Sequence, residues 1–314
     1  MKYVAPVLLV WMLVGVGIAT GAFKVAYEQI GQAASIFFVD SSTPKILINK
    51  YASAKRGRDK FKILIVPGHD RDASGTSHGG ISEADMTLAA AKKLAADFEA
   101  DDNIEVRLAR TDGGYDPDLA WYFISHRQDI LDYRASQGAM MQKYLASGEV
   151  ASNVIVNHNF AQSEVVLKLY GINKWANEEG YDLVLHIHFN DIPRAKRSLP
   201  GPYTGFAIYV PEHQFSNAKG SMAVGQAIRD KLSEAYHVST HPQESVSPTE
   251  DQELIAIGSN NSLDASSVLI EYAYIYEPVV QNSLLREQGL VTMAELTYEG
   301  VEDFLNKRTE YAVR

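Results

Sequence analysis

Four side chains in this 314-residue sequence have the types and placement that hydrolytic metal chemistry needs: His69, Glu83, His188 and Glu271. Two imidazoles and one carboxylate are an ordinary ligand set for a catalytic zinc ion, with the fourth position left to water. A second carboxylate beside such a centre can take a proton from that water and return it to a leaving amine. Spacing alone leaves open which carboxylate holds the metal and which moves the proton. The chain has no cysteine, so a metal must sit on His and carboxylates, and disulfides and thiol catalysis are excluded. With 39 Asp+Glu against 29 Lys+Arg and a net charge of −10, it lacks the cationic excess of a nucleic-acid surface, and no nucleic-acid partner is expected.

These residues need elements to bring them together. The apolar run 62–68 reads as a buried strand that ends in Pro-Gly directly before His69. Residues 83–99 predict a helix with Ser82 as its cap and Glu83 in its first turn. Further strands are predicted over 104–110, 182–189, 205–210 and 266–274, and helices over about 119–145, 161–179, 216–236 and 290–307. Strands alternating with helices predict an α/β fold: a single, mostly parallel sheet covered by helices on both faces. His69, His188 and Glu271 then stand at or near carboxyl ends of strands, where such sheets place their ligands. A short strand is also expected at 45–49. The run 50–62 is basic and reads as a solvated surface, with anionic lipid head groups or wall polymer as the alternative contact.

Residues 4–23 carry no charge and are almost wholly apolar, enough to cross a hydrocarbon core of about 30 Å as an N-terminal helix. Lys2 precedes them, and Ala19 and Ala22 lie where signal peptides are cut. A cleaved signal peptide and a retained membrane anchor are both open. Either one exports the rest of the chain to the cell envelope, and an uncleaved helix makes the membrane a partner.

The order of the motifs carries more than any one of them. Ile65-Val-Pro-Gly-His69 is an apolar strand running into Pro-Gly-His, and Glu83-Ala-Asp85-Met-Thr-Leu88 opens a helix of the Glu-x-Asp-x-x-Leu kind. Leu108-Ala-Arg110-Thr-Asp112 closes a strand. Ala176-Asn177 precedes a strand led by Asp182 that contains His186-Ile-His188-Phe-Asn190, and Leu269-Ile-Glu271 lies in the late strand. This series resembles the zinc-dependent N-acetylmuramoyl-L-alanine amidases, which cleave cell-wall peptidoglycan. The resemblance implies Zn²⁺ held by His69, Glu83 and His188, with Glu271 as general base and acid. His186 and Asn190 become candidate substrate contacts. The implied division is 1–23 as signal or anchor helix, 24–61 as connector, and 62–310 as the catalytic domain.

Several positions depart from the family pattern. Asp70-Arg71-Asp72 follows the first His where the family has Gly-Gly, and His78-Gly79-Gly80 offers a rival first ligand. His69 is favoured by the Pro-Gly before it and the strand behind it. His186 replaces a Ser, so it either serves substrate or catalysis or is a hydrogen-bonded histidine under the site. Ile172 stands where the family has Arg. His126, His158, His213, His237 and His241 read as surface or core residues.

The expected activity is therefore hydrolysis of the amide between N-acetylmuramic acid and L-alanine. The alternatives are a zinc peptidase or deacylase on another envelope substrate, and a non-catalytic wall-binding protein on an amidase fold. The segment 116–160 is longer than in simple family members. It is either a lid, which an activator protein would displace, or a helical part of the core.

Overall fold

The computed structural model describes residues 39–153, 161–194 and 196–307. The apolar stretch 4–23 and the turn around Asn157-His158-Asn159 lie outside the described residues. In chain order the elements are α1 (Pro44–Ala54), β1 (Phe61–Pro67), a small hairpin of β2 (Ser77–His78) and β3 (Ile81–Ser82), and α2 (Glu83–Glu99). β4 (Ile104–Leu108) follows, then a second hairpin of β5 (Arg110–Thr111) and β6 (Gly114–Tyr115), and the helices α3 (Pro117–Ser125), α4 (Arg127–Ser147) and α5 (Ser163–Glu179). The chain continues through β7 (Leu183–Asn190), β8 (Ala207–Pro211), α6 (Ala218–Leu232), β9 (Thr249–Asp251), β10 (Ser266–Tyr274), α7 (Pro278–Gln281) and α8 (Ser283–Asn306).

The six-stranded sheet has the order β4-β1-β7-β10-β8-β9. Its first four strands are parallel, β8 runs antiparallel to β10, and β9 follows β8 in parallel. Alternation along the strands sorts the side chains into two layers. Ile63, Ile65, Leu185, Ile187, Val268 and Ile270 point to a core closed by α1, α2, α6 and α8. Leu64, Val66 and Val184 point to a second core closed by α3, α4 and α5. On the β7 and β10 strands the residues alternating with the first set include His186, His188 and Glu271, so the polar groups face the second layer. Each fully buried Leu or Phe, such as Leu94 and Phe98 of α2, stabilises the fold by about 1.5–3 kcal/mol.

The expected single, mostly parallel sheet with helices on both faces is what the structure has. The strand expected at 45–49 is instead helix α1. Thr43 Oγ1 accepts from the Ile46 N–H at 3.2 Å, and Pro44 occupies the first turn. Cap and proline outweigh the β-branched Ile-Leu-Ile run, and Leu47, Ile48 and Tyr51 bury against the first core. Helix 119–145 is broken into α3 and α4 at His126, where Ser125 Oγ donates back to the Trp121 carbonyl at 2.8 Å. Leu119, Tyr122 and Ile130 from this pair belong to the second core. Among the described residues no helix is long and apolar enough to cross a membrane.

Candidate metal centre

β1 runs out at Pro67, and the chain then turns so sharply that His69 adopts a left-handed φ of 64°. A non-glycine residue in that region is strained and persists only when its surroundings hold it. Asp70 does the holding. Its Oδ1 accepts the N–H groups of Asp72 (2.9 Å) and Ala73 (2.8 Å), and its Oδ2 takes the Tyr115 hydroxyl (2.9 Å) and the Lys168 ammonium (2.5 Å). Burial alone would raise the Asp70 pKa, but Lys168 and the other donors outweigh it and bring the carboxyl down to about 2. The departure Asp70-Arg71-Asp72 is thus the clamp of the first imidazole. His69 Nδ1 donates to the Ala73 carbonyl at 3.2 Å, which assigns the proton to Nδ1 and leaves Nε2 as a lone pair.

That lone pair faces Glu83 Oε2 at 3.2 Å, while Glu83 Oε1 lies 3.0 Å from His188 Nδ1. Ser82 caps α2 and places Glu83 in its first turn, where the helix dipole favours a carboxylate. Glu83 is 4% exposed and also accepts the Thr76 N–H (3.0 Å) and the Phe189 N–H (3.3 Å). Burial opposes its charge, yet the His188 and His69 contacts outweigh that and hold its pKa far below the carboxylate range. Burial depresses the His188 pKa; for His69 the Glu83 contact overcomes burial and raises it. The two rings meet edge to face, 5.2 Å between centroids, and one nitrogen or oxygen of each of His69, Glu83 and His188 lies within 4.8 Å of the others.

Two glycines make this closeness fit. A Cβ on Gly68 would fall 2.3 Å from the His188 ring, and one on Gly75 would fall 2.4 Å from Glu83 Oε2. Arg110 pins the turn from below: its Nη2 donates to the carbonyls of Gly68 (3.3 Å) and Ala84 (2.9 Å). Sequence reading found Arg110 only as part of a motif. Its position after a strand carried no sign that it ties β1 to α2.

Glu271 stands opposite His188 in the β7–β10 register. Its Oε2 is buried and accepts no hydrogen bond. Burial first, then the charges of Glu83 and Glu244, push its pKa well up. His186 is 1% exposed, and burial followed by the nearby His188 lowers its pKa to about 3, so it is neutral. Its Nε2 has no hydrogen-bond partner, and the ring lines a cavity of about 620 Å³ that also reaches His69, His188, Lys168, Arg134 and Asn260. Asn190 uses its amide on Glu244 at 2.9 Å. Glu244 escaped sequence reading because it lies in a loop with no motif, yet it is buried among four donors: Asn190, Tyr209 (2.8 Å), Ser239 (2.5 Å) and Tyr274 (2.7 Å). The structure does not bring His78 to the cluster; its Nδ1 donates to the Arg197 carbonyl at 2.9 Å. Ile172 fills the second core.

Two imidazoles and a carboxylate whose ligand-type atoms converge within 4.8 Å can hold a divalent cation. The profile of the N-acetylmuramoyl-L-alanine amidases matches residues 63–303. The chain belongs to this amidase family. Among solved structures, it is similar to the N-acetylmuramoyl-L-alanine amidase of Clostridium difficile 630, at 17% identity and a TM-score of 0.50, with 80% of this chain and 100% of that one covered. It is also similar to the CwlD amidase of Clostridioides difficile in complex with the GerS lipoprotein, at 16% identity and a TM-score of 0.51, covering 78% and 98% of the two chains. At these identities the likeness is one of amidase fold. No curated protein matches the chain.

Proposed function

We propose that this amidase hydrolyses the bond between N-acetylmuramic acid and the L-alanine of the peptidoglycan stem, with one zinc ion held by His69, Glu83 and His188. The observation that carries the reading is the juxtaposition at one sheet edge: the His69–Glu83–His188 group, within 4.8 Å, beside a Glu271 that shares a register position with His188. The residues fit the ion, because Glu83 presents one oxygen to each imidazole and the His69 tautomer leaves its Nε2 unprotonated. Zinc, when bound there, supplies Lewis-acid polarisation of the scissile carbonyl and lowers the pKa of water.

The chain's own residues do the rest. Glu271 accepts the proton of the attacking water through its unpartnered Oε2 and delivers it to the departing alanine nitrogen. Burial raises the Glu271 pKa, which makes its carboxylate a stronger base for the water proton and a better holder of it between the two steps. Neutral His186 offers its free Nε2 to the substrate from the cavity wall. Export follows from the same reading: the segment 4–23 carries the chain to the envelope, as a cleaved signal or as a membrane anchor, and residues 62–310 act on the wall there. Peptidoglycan is the proposed partner; segment 116–160, which gives Leu119, Tyr122 and Ile130 to the second core, is read as part of the domain rather than as a lid for an activator protein to displace.

The test is zinc content together with release of free stem peptide from purified sacculi. Glu271→Gln should retain zinc and lose at least about 100-fold in hydrolysis, the usual range for removing an acid–base group. His69→Ala should lose both. Full activity in either variant, or release of a product other than free stem peptide, overturns the assignment.

A further inference from the structure

A second cluster of ligand-type side chains sits at the other edge of the sheet. β8 runs antiparallel to β10, with Ala207 opposite Glu271, so the carboxyl end of β8 at Pro211 points away from the edge that carries His188 and Glu271. Glu212 and His213 follow it directly, and β9, paired in parallel, brings Glu250 beside Val210. Glu212 is 0% exposed. Its Oε2 accepts from the Gln214 backbone N–H at 3.2 Å and the Gln214 side-chain amide at 3.0 Å. Its Oε1 is buried, accepts no hydrogen bond, and lies 2.7 Å from His213 Nδ1. The same Nδ1 lies 2.8 Å from Glu250 Oε2, which also takes the His213 backbone N–H at 3.2 Å.

One imidazole nitrogen has one proton to give, and here two carboxylate oxygens converge on it. The bond it makes goes to Glu250. Glu212 Oε1 is left buried without a donor, an unfavourable situation for a carboxylate oxygen. A cation between the three groups relieves it. We propose that Glu212, His213 and Glu250, whose ligating atoms lie within 4.8 Å of one another, form a second divalent-metal site at the β8–β9 edge. One imidazole and two carboxylates with water completing the shell suit zinc; calcium would want six or more oxygens. Such an ion would tie β8 to β9. It would also fix Gln214, whose side chain reaches the Ala151 backbone just beyond α4. The sequence alone reads His213 as a surface or core residue, because Glu250 lies far along the chain and only strand pairing brings it near.

The experiment loads the full chain with Zn²⁺ alone, removes unbound metal by gel filtration and counts zinc per chain. The expected result is two zinc ions in the parent and one in the His69→Ala/His188→Ala variant. Adding His213→Ala to that variant should remove the remaining ion and abolish the rise in melting temperature that zinc causes. His213 is exposed, so its replacement leaves the fold intact, and Glu250→Gln should independently weaken zinc binding at least about tenfold, equivalent to about 1.4 kcal/mol. If the His69/His188 variant binds no zinc and its melting temperature ignores the metal, or if the parent keeps the same zinc count on His213→Ala, the proposal is overturned and His213 merely bridges two carboxylates. Failure of the catalytic reading has a different signature: zinc lost on His213→Ala but not on His69→Ala.

Discussion

Gly68→Ala isolates how tightly the first turn is packed against the second imidazole. The added Cβ would lie 2.3 Å from His188 Cε1, 2.4 Å from Nε2 and 2.7 Å from Nδ1. Carbon contacts rest at roughly 3.5–4.0 Å, so the ring must retreat by roughly 1 Å. It has little room to do so, because Glu83 holds it at 3.0 Å and β7 is paired on both sides. Gly68 is not in the left-handed region, so alanine adds crowding without backbone strain. Overpacking of this kind costs about 1–3 kcal/mol, and at about 2–4 °C per kcal/mol the melting temperature should fall by several degrees. Catalysis should fall further, by about 100-fold, since a misplacement near 1 Å is enough for that. Stem-peptide release, zinc retention against a chelator and a thermal melt measure all three. Gly138→Ala in α4, where a Cβ meets nothing within 4 Å, is the control and should leave activity unchanged. A Gly68→Ala enzyme with parental zinc affinity and hydrolysis would refute the argument that this approach positions His188.

Two further outcomes follow from the same geometry. The Asp70 carboxyl titrates at about 2 against an ordinary value of 3.8, so its ionisation stabilises the fold above pH 4 by about 2 kcal/mol, and that contribution is lost as pH falls towards 2. Urea unfolding should show Asp70→Asn weaker than the parent by about that amount at pH 7, with the gap narrowing below pH 4; a gap independent of pH would point to the lost turn hydrogen bonds alone. Replacing residues 116–160 by a short Gly-Ser loop removes Leu119, Tyr122 and Ile130 from the second core. At about 2–5 kcal/mol each the loss is comparable to the whole of a typical stability of about 5–15 kcal/mol, so the variant should not fold. A stable, faster variant read out by melting and sacculus digestion would favour a displaceable lid.

Much of this arrangement was legible because it is local. Helix 83–99 follows from Ser82 and the apolar spacing behind it, strand 266–274 from a continuous buried run, and the placement of His69, His188 and Glu271 from strand ends. What stayed hidden depends on pairing across the chain. Asp70 looked like a mere departure until Tyr115 and Lys168 met it. Glu244 gathers donors from β7, β8, β10 and its own loop, which no linear spacing reveals. Helix α1 departs from its local pattern, because β-branched residues speak for a strand while its cap and its burial against α8 and α6 decide otherwise.

Spacing also leaves the roles of the two carboxylates open, and the proposed assignment rests on their environments. Glu83 has a helix N-terminus, two backbone N–H donors and the His188 ring around it, which favour the charge a metal ligand needs. Glu271 is buried with one oxygen bare, beside two carboxylates that keep their own charge, and so favours the proton. Glu244 is the adjustable member of this set. Four donors hold its pKa down against burial, and its charge presses on Glu271. Glu244→Gln removes that charge at constant shape. On the Oε2 side both partners are hydroxyls, Ser239 and Tyr274, which can turn to accept from the new amide. With one negative neighbour gone, the Glu271 pKa should drop, and the acid limb of the kcat/KM–pH profile should move to lower pH. The pH profile on a soluble muropeptide, with zinc content held at the parental level, measures this. An acid limb that stays in place or moves up would mean that Glu244 orders Asn190 and Tyr209 without tuning the base.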